Sequence, residues 1–226
     1  MNKIATLAAT AAVAAGGIWY LSGPGDNPAM TPFTPAQAQE GEATAEASDV
    51  EIQEMTLGNE DAAVQVIEYA SFTCPHCRDF HDNVFPQLKA DYIDTGEIEF
   101  VYRDVYFDRY GLWASMVARC GGSEDRFFGI ADLIYERQRE WTQGEPAEIA
   151  SNLKTIGKTA GLDEEQLDAC LSDGAKAEAL YANFQQNAEA DDITSTPSFV
   201  IDGEKYSNMS YSEFQRILDE KLGGEG

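Results

Sequence analysis

Two cysteines, Cys74 and Cys77, stand at the junction between a predicted strand and a predicted helix. Residues 64–69 (VQVIEY) are almost continuously apolar, which is typical of a central strand covered on both faces. Apolar side chains then recur at steps of three and four residues, and Pro75 suits the first turn of a helix. The sequence therefore predicts a strand that leads directly into a helix, with Cys74 at the start of that helix.

A cysteine in this place is expected to ionise easily. The first turn of a helix has unpaired N–H groups and the positive end of the helix dipole, and both favour an anion. A protonated or donating His76 would add to this effect, so we expect the pKa of Cys74 to lie well below the usual value of about 8.5. Because the thiolate exists only in the reduced protein, stabilising it makes a Cys74–Cys77 disulfide a stronger oxidant. The motif therefore predicts a site that donates disulfides.

The same Cys-X-X-Cys spacing also occurs in zinc sites, which is the alternative interpretation. A second pair with that spacing is absent, because the remaining cysteines, Cys120 and Cys170, lie 50 positions apart. The chain has only two histidines, His76 and His81. These counts favour redox use, and we predict no metal site.

The strongly negative charge of the chain excludes nucleic acids as partners. Against 40 Asp and Glu stand only 15 Lys and Arg, for a formal net charge of −25. A nucleic-acid backbone would be repelled, so nucleic-acid binding is excluded. The 11 Phe, 10 Tyr and 3 Trp residues argue for a packed interior rather than a disordered acidic tail. No phosphate-binding glycine loop and no Ser-His-Asp set is present, so no organic cofactor is implied.

The amino-terminal segment predicts export. Residues 4–21 are uncharged and mostly apolar, and they follow Lys3. Residues 1–22 are either a cleaved signal peptide or a retained membrane anchor, and the length of the apolar run leaves both open. Residues 23–49 have the Pro-rich and acid-rich composition of a linker.

The first part of the folded chain predicts a βαβ unit. Strands are expected at residues 51–57, 64–69 and 98–106. The last two should be parallel, with a right-handed crossover through the helix that contains Cys77. Pro86 should bend that helix, because proline lacks the N–H that pairs with an upstream carbonyl.

A long helical segment follows, between about residues 107 and 192. Trp113 and Trp141 are expected in its core. The predicted helices cover residues 112–120, 125–141, 146–160, 164–171 and 175–190.

A hairpin and a final helix complete the predicted layout. Residues 198–206 form the hairpin around an Asp202-Gly203 turn. The last helix begins near Ser210, which can form a capping box with Glu213.

The cysteine motif and a later proline loop together carry a family resemblance. Residues 66–77 (VIEYASFTCPHC), with Phe80-His81 and residues 84–86 after them, resemble the DsbA family of thiol:disulfide oxidoreductases. Residues 194–200 (TSTPSFV) are similar to that family's second landmark, a loop with a cis-proline opposite the active disulfide.

The resemblance implies an α/β fold, thioredoxin-like with an inserted all-helical domain. It extends over residues 50–222. The thioredoxin-like domain would be formed by residues 50–106 and 193–226, and the helical insertion by residues 107–192.

The resemblance also implies roles for individual residues. Within Cys74-Pro75-His76-Cys77, Cys74 would be the exposed thiol that reacts with the substrate, and Cys77 the resolving thiol. Pro197 would be cis, and Thr196 beside it would pair with an extended substrate peptide.

Glu68 matches the buried acid that the family uses near the inner cysteine. There it would relay the proton of Cys77 during exchange. The alternative is a strand glutamate that reaches solvent or pairs with a lysine. His81 is interpreted as a packing or surface residue.

Cys120 and Cys170 fall in two separate predicted helices. In an exported protein we expect a structural disulfide between them. Free thiols and a second redox relay are the alternatives.

These features together predict a periplasmic oxidase that introduces disulfides into reduced or unfolded exported proteins and acts as a monomer. The resemblance implies reoxidation by a DsbB-like membrane quinone reductase. A disulfide isomerase or reductase is the first alternative, supported by the polar Thr196, which is similar to isomerase-type relatives. A non-catalytic thioredoxin-like chaperone is the second alternative.

Overall fold

The computed structural model describes residues 50–223, and its centre is a mixed β-sheet. The strands are β1 (Met55–Gly58), β2 (Val64–Ala70), β3 (Ile98–Asp104), β4 (Ser198–Ile201) and β5 (Glu204–Ser207). Their order across the sheet is β1-β3-β2-β4-β5. The apolar strand β2 is therefore central, and every residue of it except Gln65 is buried.

The pairing of β2 confirms the predicted βαβ unit. Strand β2 is parallel to β3 and antiparallel to β4. Both β1 and β5 lie at the edges and run antiparallel to their neighbours. Because β2 and β3 are parallel, their carboxyl ends lie at the same edge of the sheet, and the cysteine motif begins there.

Nine α-helices cover this sheet within residues 50–223. They are α1 (Pro75–Asn83), α2 (Phe85–Leu88), α3 (Arg109–Arg119), α4 (Glu124–Glu136), α5 (Gln138–Trp141), α6 (Pro146–Thr159), α7 (Glu164–Ser172), α8 (Gly174–Ala190) and α9 (Tyr211–Gly223). Helices α3 to α8 form the predicted all-helical insertion. The thioredoxin-like fold with a helical insertion is thus confirmed.

The crossover from β2 to β3 differs in detail from the predicted bent helix. Helix α1 ends at Asn83, and Val84 has a φ of −109°. Pro86 then lies in the first turn of α2, where its missing N–H costs little. A π-helical turn at Lys89–Ile93 completes the crossover. The proline therefore lies at the start of a new helix, which is separated from α1 by the single residue Val84, instead of bending a continuous helix.

Two further expected element bounds and one expected helix cap differ from the structure. The first strand begins at Met55 rather than at residue 51, because its pairing with β3 begins there. The helix expected at 125–141 ends at Glu136, and α5 starts after Arg137, whose ψ of 13° is not helical. The capping box at the start of α9 is half formed, with Glu213 N donating to Ser210 Oγ at 3.4 Å.

Aromatic side chains form much of the core. Phe80 of α1 contacts Phe199 of β4 and Phe214 of α9, with ring centroids 4.9 and 5.8 Å apart. Burying one such side chain contributes about 1.5–3 kcal/mol. In the helical insertion Trp141 is buried as expected, whereas Trp113 is only half-buried. These contacts fix α1, and with it the cysteine motif, against the sheet.

The two remaining cysteines are bonded to each other. Cys120 follows the end of α3, Cys170 lies in α7, and their sulfur atoms are 2.05 Å apart. This bond joins the end of α3 to α7 within the helical insertion, whereas Cys74 and Cys77 are free thiols.

The predicted apolar segment at residues 4–21 and the linker at residues 23–49 lie outside the described residues. Within residues 50–223, no helix is long and apolar enough to cross a bilayer.

Candidate active site

The cysteine motif lies at the surface, at the first turn of α1. Cys74 is the residue before the helix, with extended backbone at φ −81° and ψ 120°. A turn closed by Cys74 N donating to Ser71 O at 3.0 Å connects it to the end of β2. Pro75 and His76 are exposed, whereas Cys77 is fully buried. The fold thus presents one sulfur to a partner and covers the other.

Cys74 is half-buried and its thiol is strongly acidic. A hydrogen bond from the Cys77 thiol is the largest cause, and it lowers the pKa of Cys74 to about 5. Burial opposes this shift. The Thr196 side chain and the backbone N–H groups of Cys77 and His76 act in the same direction as the Cys77 thiol. The low pKa expected from the helix start is therefore present, but a side chain rather than the helix contributes most to it.

The backbone of His76 helps to stabilise the Cys74 thiolate. The side chain of His76 is exposed to solvent, and its N–H in the main chain is what hydrogen-bonds the Cys74 sulfur. Pro75 has no N–H, so the N–H groups of the next two residues are the first that the helix offers to the anion.

The second cysteine has the opposite chemistry. Burial raises the pKa of Cys77 far above that of an ordinary thiol, and the neighbouring Cys74 and Glu68 raise it further. Its thiol stays protonated at neutral pH and can donate its hydrogen to the Cys74 sulfur. The contact between the two cysteines therefore lowers the pKa of Cys74 and raises the pKa of Cys77.

The proline loop faces the reactive sulfur. The Thr196-Pro197 peptide bond is cis, and Pro197 is buried. Cys74 Sγ lies 3.5 Å from Thr196 O, although the two residues are 122 positions apart in sequence. The fold thus places Thr196 and Pro197 beside Cys74.

Glu68 forms a buried pair with His81 behind the cysteines. Glu68 lies in β2 and is 0% exposed, so it neither reaches solvent nor pairs with a lysine. His81 Nε2 of α1 is 2.9 Å from Glu68 Oε2. The charge of Glu68 also raises the pKa of the inner thiol, Cys77.

His81 is a packing residue, one of the two roles that the sequence predicted, and its imidazole also pairs with Glu68. Its ring is buried and stacks on Tyr135 of α4, with centroids 4.2 Å apart. His81 also lines a surface cavity of about 320 Å³, together with Lys89 and Asp132. Glu68 Oε1 and His81 Nδ1 are buried without a hydrogen-bond partner among the described residues.

Sequence reasoning also missed how the start of α3 supports the motif. Asp108 accepts hydrogen bonds from Tyr110 N and Gly111 N, which caps α3. Its other oxygen accepts from Thr73 Oγ1 at 2.9 Å, next to Cys74. An Asp just before a helical run is a capping signal that the sequence does carry. Its contact with Thr73 depends on the fold.

A comparison with known protein families identifies this arrangement. Residues 51–220 match the sequence profile of the family described as thioredoxin. The chain belongs to the thioredoxin family. Within it, the Wolbachia pipientis protein α-DsbA1 has a similar structure, with a TM-score of 0.71 and 25% identity. The similarity covers 77% of this chain and 94% of that one, and it confirms the resemblance to DsbA.

Relatives in the thioredoxin family include proteins named for disulfide chemistry. A Rickettsia bellii protein, provisionally named protein-disulfide oxidoreductase, is 36% identical over 169 residues. That match covers 75% of this chain and 64% of the relative, so the chain spans under two thirds of that protein's length. Disulfide bond formation protein D of Bacillus subtilis is 26% identical, over 75% of this chain and 77% of the relative.

The pKa of Cys74 predicts how the stability of the reduced thioredoxin-like domain depends on pH. The folded state lowers this pKa from 9.0 to about 5. A group whose pKa is lowered by folding stabilises the protein fully above its unfolded pKa and loses this effect as the pH falls through its folded pKa. The free energy of unfolding of the reduced protein should therefore exceed that of Cys74→Ser by an amount that shrinks from pH 9.0 to about 5.

Denaturant unfolding of both reduced proteins at a series of pH values would measure this difference. The disulfide form of the parent is the control, since it has no thiolate at Cys74. A difference that stays constant over the whole range would contradict the stabilised thiolate.

Proposed function

We propose that this protein is an exported thiol:disulfide oxidoreductase that introduces disulfide bonds into envelope proteins. The observation that carries the proposal is the divergence of the two pKa values in the cysteine motif, with Cys74 lowered to about 5 and Cys77 raised. A stabilised thiolate favours the reduced protein, so its disulfide is a strong oxidant of other thiols. The names of its relatives in Rickettsia and Bacillus agree with such chemistry.

The reaction begins with the disulfide form. A substrate thiolate attacks the sulfur of Cys74, the Cys74–Cys77 bond breaks, and Cys77 leaves with the electron pair and takes up a proton. A second substrate thiolate then attacks the substrate sulfur of this mixed disulfide and releases Cys74 as a thiolate. The substrate has lost two electrons to become a disulfide, and the protein has become a dithiol. The low pKa of Cys74 makes it the better leaving group in the second step.

Glu68 and His81 supply the proton path to Cys77. Because the Cys77 thiol is buried, its proton exchanges only slowly with water near neutral pH unless another group transfers it. We assign Glu68 as the group that gives this proton when Cys77 leaves and accepts it when the dithiol is reoxidised. His81, bonded to the carboxylate at 2.9 Å and lining the cavity, passes the proton between Glu68 and solvent.

Thr196 and Pro197 are the proposed substrate-binding edge. The loop lies against Cys74, so an extended peptide that pairs with the main chain of Thr196 would have its cysteine beside the reactive sulfur. The proposed substrates are reduced or unfolded exported proteins, and the proposed reoxidant is a DsbB-like membrane quinone reductase. The working site is the periplasm, and the protein acts there as a monomer.

A disulfide isomerase or reductase is the second candidate function. Thr196 favours it, because this residue is polar, as in isomerase-type relatives, and lies beside Cys74, with its main-chain oxygen 3.5 Å from the reactive sulfur. Such an enzyme would be maintained as a dithiol by a reducing partner, and it would rearrange or reduce disulfides instead of forming them.

Substitution of the cysteines tests the proposed chemistry. Cys74→Ala should abolish oxidation of a reduced, unfolded test protein with one cysteine pair, because no sulfur remains for the substrate to attack. Cys77→Ala, given the same test protein in its disulfide form, should accumulate a mixed disulfide with it: the Cys74 thiolate attacks the substrate disulfide and releases one substrate thiolate, and no Cys77 thiol is present to displace the other. Loss of free thiols and mass spectrometry of the adduct measure both effects.

The double variant Cys120→Ala/Cys170→Ala is the matched control for this experiment. It should keep the oxidase activity, and its free energy of unfolding should fall by about 2–4 kcal/mol, as expected for a structural disulfide. A Cys74→Ala protein that acts on its clients as well as the parent does would instead indicate a non-catalytic chaperone.

The proton path predicts a change in the pH profile of the resolving step. With glutathione attached to Cys74, the rate at which Cys77 displaces it should fall on the order of a hundredfold near neutral pH in Glu68→Gln. His81→Phe should lower the same rate, because the ring still packs on Tyr135 but cannot transfer a proton. The loss should shrink as the pH rises, because hydroxide then removes the Cys77 proton directly.

Stopped-flow measurement of glutathione release over a range of pH follows this step. Glu99→Gln, in the neighbouring strand and outside the site, is the control and should leave the profile unchanged. Identical profiles for Glu68→Gln and the parent would rule out the relay.

A further inference from the structure

One side chain of the helical insertion, that of Gln138, holds the main chain of the active-site turn. Gln138 is the first residue of α5 and is only 4% exposed. Its Nε2 donates to Phe72 O at 2.8 Å and to Cys74 O at 2.9 Å. One amide nitrogen therefore holds two main-chain carbonyls of the turn that carries the reactive cysteine.

The two carbonyls depend on this amide to different degrees. Cys74 O also accepts the first helical hydrogen bond, from Arg78 N at 3.2 Å. Among the described residues, Phe72 O has Gln138 as its hydrogen-bond donor. A buried carbonyl without a donor is unfavourable, so the turn would change its path if the amide were removed.

Gln138 is itself held firmly by the helical insertion. Thr142 Oγ1 donates to Gln138 O at 2.6 Å, and Trp141 Nε1 donates to Ile134 O at 2.8 Å. The Phe72 ring packs against Tyr135 of α4, with centroids 5.0 Å apart. The amide is therefore a fixed support for the turn and not a mobile surface group.

We propose that Gln138 is a positioning residue through which the helical insertion sets the reactivity of the Cys74 thiolate. This inference rests on the proposed oxidoreductase function and adds a residue of the insertion to its machinery. Gln138 contacts no reacting atom, so it acts through the main chain of Cys74.

The physical reason lies in the orientation of the turn. The peptide groups that follow Cys74 direct the N–H groups of His76 and Cys77 at its sulfur, where they stabilise the anion. Gln138 fixes the carbonyl at the start of this run and partly neutralises its negative end. Without the amide, the N–H groups of His76 and Cys77 would point less directly at the Cys74 sulfur. The negative end of the Cys74 carbonyl, which disfavours a nearby thiolate, would also lose one of its hydrogen-bond donors.

Gln138→Met tests the proposal, because methionine has a similar length and no N–H to donate. The Cys74 thiolate, titrated by its ultraviolet absorbance, should show a pKa raised by about one unit, a roughly tenfold smaller ionisation constant. The equilibrium with glutathione should shift toward the disulfide form in the same direction. Gln138→Glu should shift both quantities further, because its carboxylate repels the two carbonyls.

Gln143→Met is the matched control. Gln143 is exposed, five positions along the same segment, and it contacts neither carbonyl. It should leave the titration and the glutathione equilibrium unchanged. A merely structural role for Gln138 would lower the melting temperature in Gln138→Met without moving either redox quantity, and that result would overturn the proposal.

Two further outcomes are separated by the same measurements. If Gln138→Met does not fold, Gln138→Asn decides, because its amide is too short to hold both carbonyls and should raise the same pKa. If the parent protein titrates like an ordinary thiol, the proposed oxidase function fails. The difference between Gln138→Met and its parent still tests the positioning role in that case.

Discussion

The hydrogen bond from the Cys77 thiol to the Cys74 sulfur is the interaction on which the chemistry of this protein depends. It requires one sulfur that is buried and protonated and another that is half-exposed and anionic. The helix start alone would stabilise an anion at Cys74 modestly, because the dipole of a helix contributes little at a partly exposed site. The difference in burial between neighbouring turns of α1 makes the pair asymmetric.

The rest of the fold maintains this asymmetry. The central strand β2 brings the buried Glu68 behind the inner cysteine, and the cis-proline loop brings Thr196 against the outer one. The helical insertion contacts the active-site turn, where Gln138 donates a hydrogen bond to Cys74 O. Each contact joins segments that are far apart in sequence, so the site exists only when the sheet and the insertion are assembled together.

Local sequence signals predicted the site's framework, and long-range contacts account for what they missed. An apolar strand, a proline and two cysteines one turn apart specify the strand, the helix start and the reactive cysteine. Glu68 lies on a strand and His81 on a helix, and the sequence around each residue does not indicate that the two form a pair. Gln138 resembles any surface glutamine until α5 packs on the turn. The first strand was predicted too early because its true start depends on its partner β3.

The equilibrium between the protein and a glutathione redox buffer at neutral pH tests the central claim most directly. A stabilised thiolate at Cys74 predicts that glutathione readily reduces the Cys74–Cys77 disulfide, at a potential more positive than about −180 mV. The Cys120–Cys170 disulfide should stay intact under the same conditions and serves as an internal reference. A potential of about −270 mV, as in reducing thioredoxins, would contradict the stabilised thiolate.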